Sequence, residues 1–405
     1  MEHILEFPTS IILALVFMLI PIALHRFAGN SAVVRTLGSV RMARILLAVG
    51  AVMLAVEGTW SVPLHQSYAF IGYVLVMLLS LGLVVVNGIK KKLKVGFLLN
   101  HLGIFLIIWG ALFGSSDVKR SKMVVNKDYA ENFSYADDGL VVQLPFSVKL
   151  KEFTVDYYPD GVSPRQFTSK IIVDGKEMSV AVNEPVSYDG YTLFQESYDR
   201  EFGQYTVLQV VRDPWLPVIY VGMLLLALGS IMLLFGRWKV KLVVPVTLLL
   251  TVAFTALTVA KINFGTLMPA LRSWWFVPHL FIYMVAYSLM AFALIMWIAA
   301  EMKKKDQWRE LSNNLMRSSS ALLIIGILTG SVWARQAWGD YWAWDPKENW
   351  AAVTWFLSLM HLHLQDKRGW KSLAILILSF LALQITWYGV NYLPSAMNSM
   401  HTYTK

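Results

Sequence analysis

The chain has 405 residues, 57% of them hydrophobic and 15% charged, and its mean hydropathy of +0.54 excludes an ordinary soluble protein. Its formal net charge of +9 is accounted for by basic loops on one side of a membrane, so nucleic acid is discarded as a partner. It has no cysteine, which excludes disulfides and a thiol of its own, so any thiol in the reaction belongs to a partner protein.

Apolar runs divide the chain into membrane spans and one soluble insertion, residues 115–214. A helix needs roughly 20 predominantly apolar residues to cross the hydrocarbon core, and ten runs of about that length can be drawn. The sequence therefore predicts a polytopic α-helical membrane protein of about ten helices with an inserted domain. The predicted spans are 9–25, 41–57, 67–89, 95–114, 215–236, 240–260, 275–300, 319–337, 350–365 and 371–393.

Basic residues between the spans predict the orientation. Short loops rich in Lys and Arg remain on the cytoplasmic side, and every second connection is basic. Both termini, residues 115–214 and residues 338–350 are therefore expected outside a bacterial cytoplasmic membrane. Glu2 and Glu6 precede the first run, so no cleavable signal is expected. The basic connections carry Arg26, Arg35, Arg41 and Arg44; Lys90, Lys91, Lys92 and Lys94; Arg237, Lys239 and Lys241; Lys303, Lys304, Lys305 and Arg309; and Lys367, Arg368 and Lys371.

The soluble insertion has the pattern of an antiparallel β domain. Residues 141–150 partly alternate between apolar and polar side chains, and residues 171–180 predict two short strands about an Asp-Gly turn at 174–175. A second Asp-Gly pair, at 189–190, precedes another strand-like run. Because the insertion contains no histidine, no cysteine and no acidic triad, we expect it to serve recognition or support.

Histidines are the best candidate metal ligands, because cysteine is absent and the methionines suit hydrophobic packing. All eight lie outside the soluble insertion. His279 and His401 are predicted at outer ends of spans, and His101 and His363 within spans towards the cytoplasmic end. Ionisable residues inside spans are costly and tend to be functional, so two sites at two depths are indicated. A helix–helix hydrogen bond for His101, and His361 in place of His363, stay open.

Tryptophans are concentrated in one segment, residues 338–350, which we call the tryptophan loop. Six of the 16 tryptophans fall between Trp333 and Trp355. An interfacial aromatic belt explains tryptophan at span ends, but it does not explain a dense cluster interleaved with charged residues. The loop contains Trp338, Trp342, Trp344 and Trp350 together with Asp345, Lys347 and Glu348.

The ninth span begins directly within this loop. A proline in the first turn and Asp345 before it predict a helix start with Asp345 as the N-cap. A flat aromatic surface flanked by Arg335 and Lys347 suits a large planar anion, since rings pack on rings and cations lie near carboxylates. Heme, with two propionates, fits that description. His279 and His401, on the same side, are candidates for its two axial ligands.

The tryptophan loop resembles the WWD signature of heme-handling proteins in cytochrome c biogenesis. Its flanks are similar to the CcsA (ResC) branch, and the first half of the chain is similar to the partner subunit CcsB (ResB). Over nearly its whole length the chain resembles a compact CcsB–CcsA fusion, a CcsBA-type system II cytochrome c synthase. The matching segments are 273–279 and 388–403 for CcsA, and 99–103, 144–148, 182–185 and 188–198 for CcsB.

The resemblance implies three regions. Residues 1–114 are a CcsB-like membrane region of about four helices, and 115–214 are a CcsB-like outer β-rich domain. Residues 215–405 are a CcsA-like membrane region that contains the tryptophan loop.

The resemblance also implies ligand roles. His279 and His401 match the external axial histidines, and His101 and His363 match those of a membrane-embedded heme site. His363 matches better than His361, because the family pattern has a histidine eight residues after the position of Trp355.

The activity that the resemblance implies is cytochrome c maturation. That family carries reduced heme outward and joins its vinyl groups to the thiols of Cys-x-x-Cys-His in a secreted apocytochrome c. The expected substrate is heme b, and the expected partners are apocytochrome c, thiol–disulfide reductant proteins that supply it in reduced form, and the lipid bilayer. No acid or base side chain is expected, because the chain's role is to position heme. The positioning residues would be Trp338, Trp342, Trp344, Asp345 and Trp350.

Two alternatives stay open at this point. A heme transporter or chaperone would deliver heme without catalysing attachment. A quinone-linked membrane oxidoreductase would use bound heme for electron transfer, although no quinone pocket can be located in the sequence.

Overall fold

Helices flank one β domain in the computed structural model, which describes residues 6–234, 243–260, 264–364 and 369–399. The described helices are α1 (Thr9–Ala28), α2 (Ala32–Leu37), α3 (Val40–Trp60), α4 (Tyr68–Lys90), α5 (Val95–Gly114), α6 (Leu216–Leu234), α7 (Val243–Val259), α8 (Phe276–Lys303), α9 (Asp306–Trp338), α10 (Pro346–Leu362) and α11 (Trp370–Trp387). The predicted ligand His401 lies outside the described residues, as do Arg237, Lys239, Lys241, Lys367 and Arg368.

Each of the ten predicted spans corresponds to a helix in the described part of the chain. Seven of them, α1, α4, α5, α6, α8, α9 and α11, are long and apolar enough to cross a membrane. The chain is therefore a multi-span membrane protein, as predicted. For α3, α7 and α10 a membrane crossing stays a prediction.

Helix α9 begins at Asp306, well before the predicted start at residue 319. The first turns carry charged residues, so no apolar run marks them. They are helical because Leu311, Leu315 and Met316 form an apolar stripe that is buried against α8. Serines bring the two helices close together, since Ser312 Oγ donates to the carbonyl of Ala293 at 2.6 Å and Ser319 Oγ to that of Ala286 at 2.8 Å.

Glycines allow α5 and α6 to touch along their backbones. A Cβ atom added to Gly103 would lie 2.5 Å from the backbone nitrogen of Leu226. Beside this contact, Ser230 Oγ donates to Asn100 Oδ1 at 3.0 Å. The helix before the β domain is thus fixed to the helix after it, and His101 follows Asn100 at this junction.

The insertion folds as one eight-stranded antiparallel sheet, as predicted. The strand order is β5-β4-β3-β2-β1-β8-β7-β6. Both predicted Asp-Gly turns close hairpins, with positive φ at each residue of 174–175 and 189–190, as two-residue hairpin turns require. The strands are β1 (Lys119–Asn126), β2 (Glu131–Tyr135), β3 (Val141–Tyr157), β4 (Pro164–Val173), β5 (Lys176–Ala181), β6 (Val186–Tyr188), β7 (Tyr191–Tyr198) and β8 (Tyr205–Arg212).

The sheet curls so that strands far apart in its order meet inside. Ser169 of β4 donates to Gln195 Oε1 of β7 at 2.5 Å, its Oγ lies 2.9 Å from Thr206 Oγ1 of β8, and all three side chains are buried. Alternate apolar residues surround this contact and form the core of the domain.

The β domain contacts the segment before α8 and the tryptophan loop after α9. Tyr158 donates its hydroxyl to the carbonyl of Leu267 at 2.9 Å, and Asn183 Nδ2 donates to that of Pro269 at 2.9 Å. Arg120 of β1 forms an ion pair with Asp340 of the tryptophan loop. Burial raises the pKa of Asp340, and the Arg120 guanidinium opposes that shift.

We predict that Gly103→Ala destabilises the protein. The new methyl group would overlap the backbone of α6, and overpacking of this kind costs about 1–3 kcal/mol. Thermal unfolding in detergent would show a lower melting temperature. Gly72→Ala in α4 is the matched control, because a Cβ atom there meets nothing within 4 Å. Equal melting temperatures for the two variants would contradict the prediction.

Candidate functional site

The tryptophan loop is held at both ends by helix caps. Helix α9 ends at Gly339, whose φ of +82° suits glycine. Helix α10 begins at Pro346 with Asp345 as its N-cap, which confirms the predicted start. Asp345 Oδ1 accepts the backbone N–H of Lys347 at 2.8 Å, and Glu348 completes a capping box.

A large cavity opens beside this loop, and we call it the His279 cavity. Its volume is about 1350 Å³, which exceeds the roughly 300–1,000 Å³ of ordinary small-molecule pockets. Most of its lining is aromatic or aliphatic and comes from α7, α8, α9, α10 and α11. The lining residues that bear on binding are His279, Trp333, Trp342, Lys347, Glu348 and Gln384.

His279 projects from the first turn of α8, at the end of the helix next to the β domain. Its Nδ1 lies 2.9 Å from the carbonyl oxygen of Gly326 in α9. This contact favours the tautomer with the proton on Nδ1 and the lone pair on Nε2, the tautomer in which Nε2 can bind a metal. Gly330 makes room for the ring, since a Cβ atom there would lie 2.6 Å from His279 Cε1.

Two further predicted ligands, His101 of α5 and His363 at the end of α10, lie near each other. The ring centres of His101 and His363 are 6.4 Å apart, with an angle of 73° between the ring planes. His101 Nδ1 lies 2.8 Å from the carbonyl of Phe97, and His363 Nδ1 lies 2.8 Å from that of Leu359. Each ring is therefore oriented by the helix that carries it.

His361, the alternative to His363, has a different environment. It is fully buried, its Nε2 lies 3.0 Å from Asn313 Oδ1, and Ser372 Oγ lies 3.4 Å from its Nδ1. Both ring nitrogens are thus engaged by polar side chains. The geometry favours a structural role for His361 and leaves His363 as the better ligand candidate.

The other predicted heme-positioning residues lie away from the His279 cavity. Trp338 packs against Trp333, and Trp350 packs against α3 at Gly58. Trp344 faces α4, and Asp345 serves as the cap. Arg335 points to the β domain, where its guanidinium lies 5.3 Å from the centre of the Phe194 ring.

Several cavity residues were not found from the sequence. Gln384 and Trp387 belong to α11, whose apolar pattern does not distinguish a cavity face from a lipid face. Outside the cavity lining, the sequence also did not mark His65, which stacks on Trp344, or Glu57, which contacts His65. A carboxylate at the end of an apolar run was the available signal for Glu57.

A smaller polar cavity of about 410 Å³ lies between the β domain and the start of α8. It is lined by Arg165 and Asn183 of the β domain and by Arg272 and Trp274 before α8. The amide groups and the cationic and anionic side chains of this cavity suit the binding of a polypeptide backbone better than the binding of a single small anion.

We predict that Asp345→Ala loosens the tryptophan loop. Removal of an N-cap carboxylate costs about 0.5–2 kcal/mol, and the bond from Ser399 Oγ to the same oxygen is lost with it. Hydrogen exchange at the amides of residues 347–349 should become faster. Asp345→Asn is the control, because its side-chain oxygen still caps the helix. Unchanged exchange in the alanine variant would contradict the prediction.

Comparison with known proteins follows the two halves of the chain. A family model described as "Cytochrome C assembly protein" matches residues 215–397, and one described as "ResB-like family" matches residues 92–203. Relatives named cytochrome c biogenesis protein CcsA come from several organisms. That of Chlamydomonas reinhardtii is 31% identical over 193 residues, which cover 43% of this chain and 54% of that protein.

The CcsA protein of Mesostigma viride is 30% identical over 203 residues, which cover 40% of this chain and 67% of that protein. That of Gloeobacter violaceus is 40% identical over 92 residues, or 22% of this chain and 27% of that protein. The chain thus spans between 54% and 67% of the length of the two algal proteins. The chain belongs to the cytochrome c assembly family of CcsA proteins and joins to it a ResB-like part, which makes it a CcsB–CcsA fusion.

Proposed function

We propose that this protein holds heme in the His279 cavity for covalent attachment to apocytochrome c. The observation that carries the proposal is the cavity itself, which combines the imidazole of His279, an aromatic wall and the amine of Lys347 in a volume of about 1350 Å³. His279 binds the iron, Trp342 packs on the porphyrin and Lys347 pairs with a propionate. His401 is proposed as the second axial ligand.

The bond chemistry belongs to the substrates. Each thiol of Cys-x-x-Cys-His adds across one heme vinyl group, so that a carbon–sulfur bond forms and the thiol hydrogen passes to the other vinyl carbon. This addition involves no net oxidation. The chain contributes position and exclusion of water, and since it has no cysteine, the reduced thiols come with apocytochrome c from separate reductant proteins.

The His101–His363 pair is proposed as an earlier heme site within the membrane. Imidazole nitrogens bind a metal at about 2 Å, so two rings on opposite sides of one iron have their centres roughly 6 Å apart. The observed spacing of 6.4 Å agrees with that requirement. Heme would enter here from the inner leaflet and then pass to the His279 cavity.

The proposed setting is a bacterial cytoplasmic membrane with the β domain and the tryptophan loop outside. Two observations support a common side for them. The Arg120–Asp340 ion pair joins the domain to the loop, and Tyr158 joins it to the segment before α8. The polar cavity beside Trp274, just before the helix that carries His279, is proposed to receive an incoming polypeptide.

Attachment is tested with a secreted Cys-x-x-Cys-His reporter in bacterial cells that lack other cytochrome c maturation genes. Expression of this chain should produce heme that remains on the reporter after denaturation. A reporter without heme, beside purified protein that carries heme, would support a transporter or chaperone and contradict synthase activity. A Cys-to-Ser reporter is the control for noncovalent heme.

Ligand assignment is tested by replacing the histidines one at a time. His279→Gly should remove one bis-histidine signal from the heme absorption spectrum, and added imidazole should restore part of it. His101→Gly and His363→Gly should remove the other signal. His361→Gln is the matched control, because glutamine keeps polar contacts in that buried position; its spectrum should match the wild type. Retention of both signals in His279→Gly would contradict the assignment.

A further inference from the structure

Glu57 is a buried carboxylate near the end of α3, and both of its oxygens contact one residue. It is 4% exposed. Oε2 accepts the backbone N–H of His65 at 3.1 Å, and Oε1 forms a short contact with the Nδ1 of the same residue. The other ring nitrogen, Nε2, lies 3.3 Å from the side-chain amide of Gln66. The carboxylate therefore fixes both the backbone and the ring of His65.

The His65 ring lies flat on the indole of Trp344. The ring centres are 4.4 Å apart and the planes differ by 6°. Trp344 also meets Phe70 edge-on at 5.4 Å, and its indole is perpendicular to that of Trp342 at 6.3 Å. Trp342 lines the His279 cavity. A continuous row of contacts thus leads from Glu57 through His65 and Trp344 to the cavity wall.

Trp344 has a backbone conformation that needs support. Its φ is +58°, in the left-handed region that bulky residues rarely adopt. Asn349 Nδ2 donates to its carbonyl at 3.0 Å, which holds the backbone from α10. The His65 ring stacks on its indole, so residues from both halves of the chain contact Trp344.

We propose that Glu57 and His65 are positioning residues for the His279 cavity, acting through Trp344 and Trp342. His65 supports the wall rather than binding iron, because its Nδ1 contacts Glu57 and its Nε2 faces Gln66. A carboxylate that orients an imidazole by Nδ1 is the usual way to hold that ring in one orientation. The inference has two parts. Its structural part, that His65 holds Trp344 in place, rests on the loop geometry alone, and its functional part, that this affects heme binding, rests on the proposed heme site.

The structural part is tested first on heme-free protein in detergent. His65→Ala should speed hydrogen exchange at residues 342–350, whereas His65→Phe, which keeps a flat ring on Trp344, should give a smaller increase. Glu57→Gln should fall between wild type and His65→Ala. His25→Ala at the end of α1 is the matched histidine control. Exchange equal to wild type in His65→Ala would overturn the proposal.

The functional part is tested by the heme content and absorption spectrum of purified protein at matched melting temperature. His65→Ala should lose at least half of the His279-site signal and retain the His101–His363 signal, and His65→Phe should restore part of the loss. The double variant His65→Ala, Trp344→Ala should lose no more than Trp344→Ala alone. A greater loss in the double variant than in Trp344→Ala would overturn the positioning role. A full His279-site signal in His65→Ala, together with faster exchange, would overturn it too. Absence of the His279-site signal in the wild-type protein would contradict the proposed function. The exchange result would then still show whether His65 stabilises the tryptophan loop.

Discussion

The geometry of the candidate site depends on one carboxylate, that of Asp345, which caps α10 within the tryptophan loop. It caps α10 and accepts Ser399 Oγ, so it fixes the helix start and the segment after α11 at one point. The direction of α10 follows from that cap. Lys347 and Trp342 then border the His279 cavity at one end of the helix, and His363 lies at its other end. Loss of the cap would therefore change the positions of residues in both proposed heme sites.

Backbone contacts distinguish the three candidate ligands from the other histidines whose contacts are described. His101, His279 and His363 each have Nδ1 within 2.9 Å of a main-chain carbonyl. His361 and His65 instead have Nδ1 near a side chain. A carbonyl in a helix cannot move or change its charge, so it holds the ring and the tautomer that a metal requires. The three candidate ligands therefore share one mode of ring orientation, by a main-chain carbonyl, which His361 and His65 do not share.

The sequence predicted the helices and the β hairpins because each is determined locally. Apolar runs define spans, and the Asp-Gly pairs define tight turns. It also predicted the cap at Asp345, since proline and aspartate together specify a helix start. The early turns of α9 were missed because their apolar residues are spaced along one face within a charged segment.

The candidate site was predicted less completely. Histidine and tryptophan are conspicuous in sequence, but which tryptophans reach a cavity depends on the rotation of the loop. Trp342 lines it, whereas Trp344 turns towards α4 because its φ is positive. Arg335 was expected beside a propionate and instead lies near Phe194, since the β domain covers that end of α9. Such contacts are made between residues far apart in the chain, and no local pattern marks them.

Both halves contribute residues to the proposed heme sites, which explains why they occur in one chain. The His101–His363 pair takes His101 from the ResB-like part and His363 from the CcsA-like part, so neither half contains it alone. The His279 cavity is built by the CcsA-like part, but its wall is supported through Trp344 by His65 in the first half. Close α5–α6 packing at Gly103, two residues after His101, holds the halves in register beside that histidine. Two separate subunits would have to maintain the His101–His363 spacing across an interface that can dissociate. In this chain the β domain joins α5 to α6 covalently, so folding alone sets that spacing.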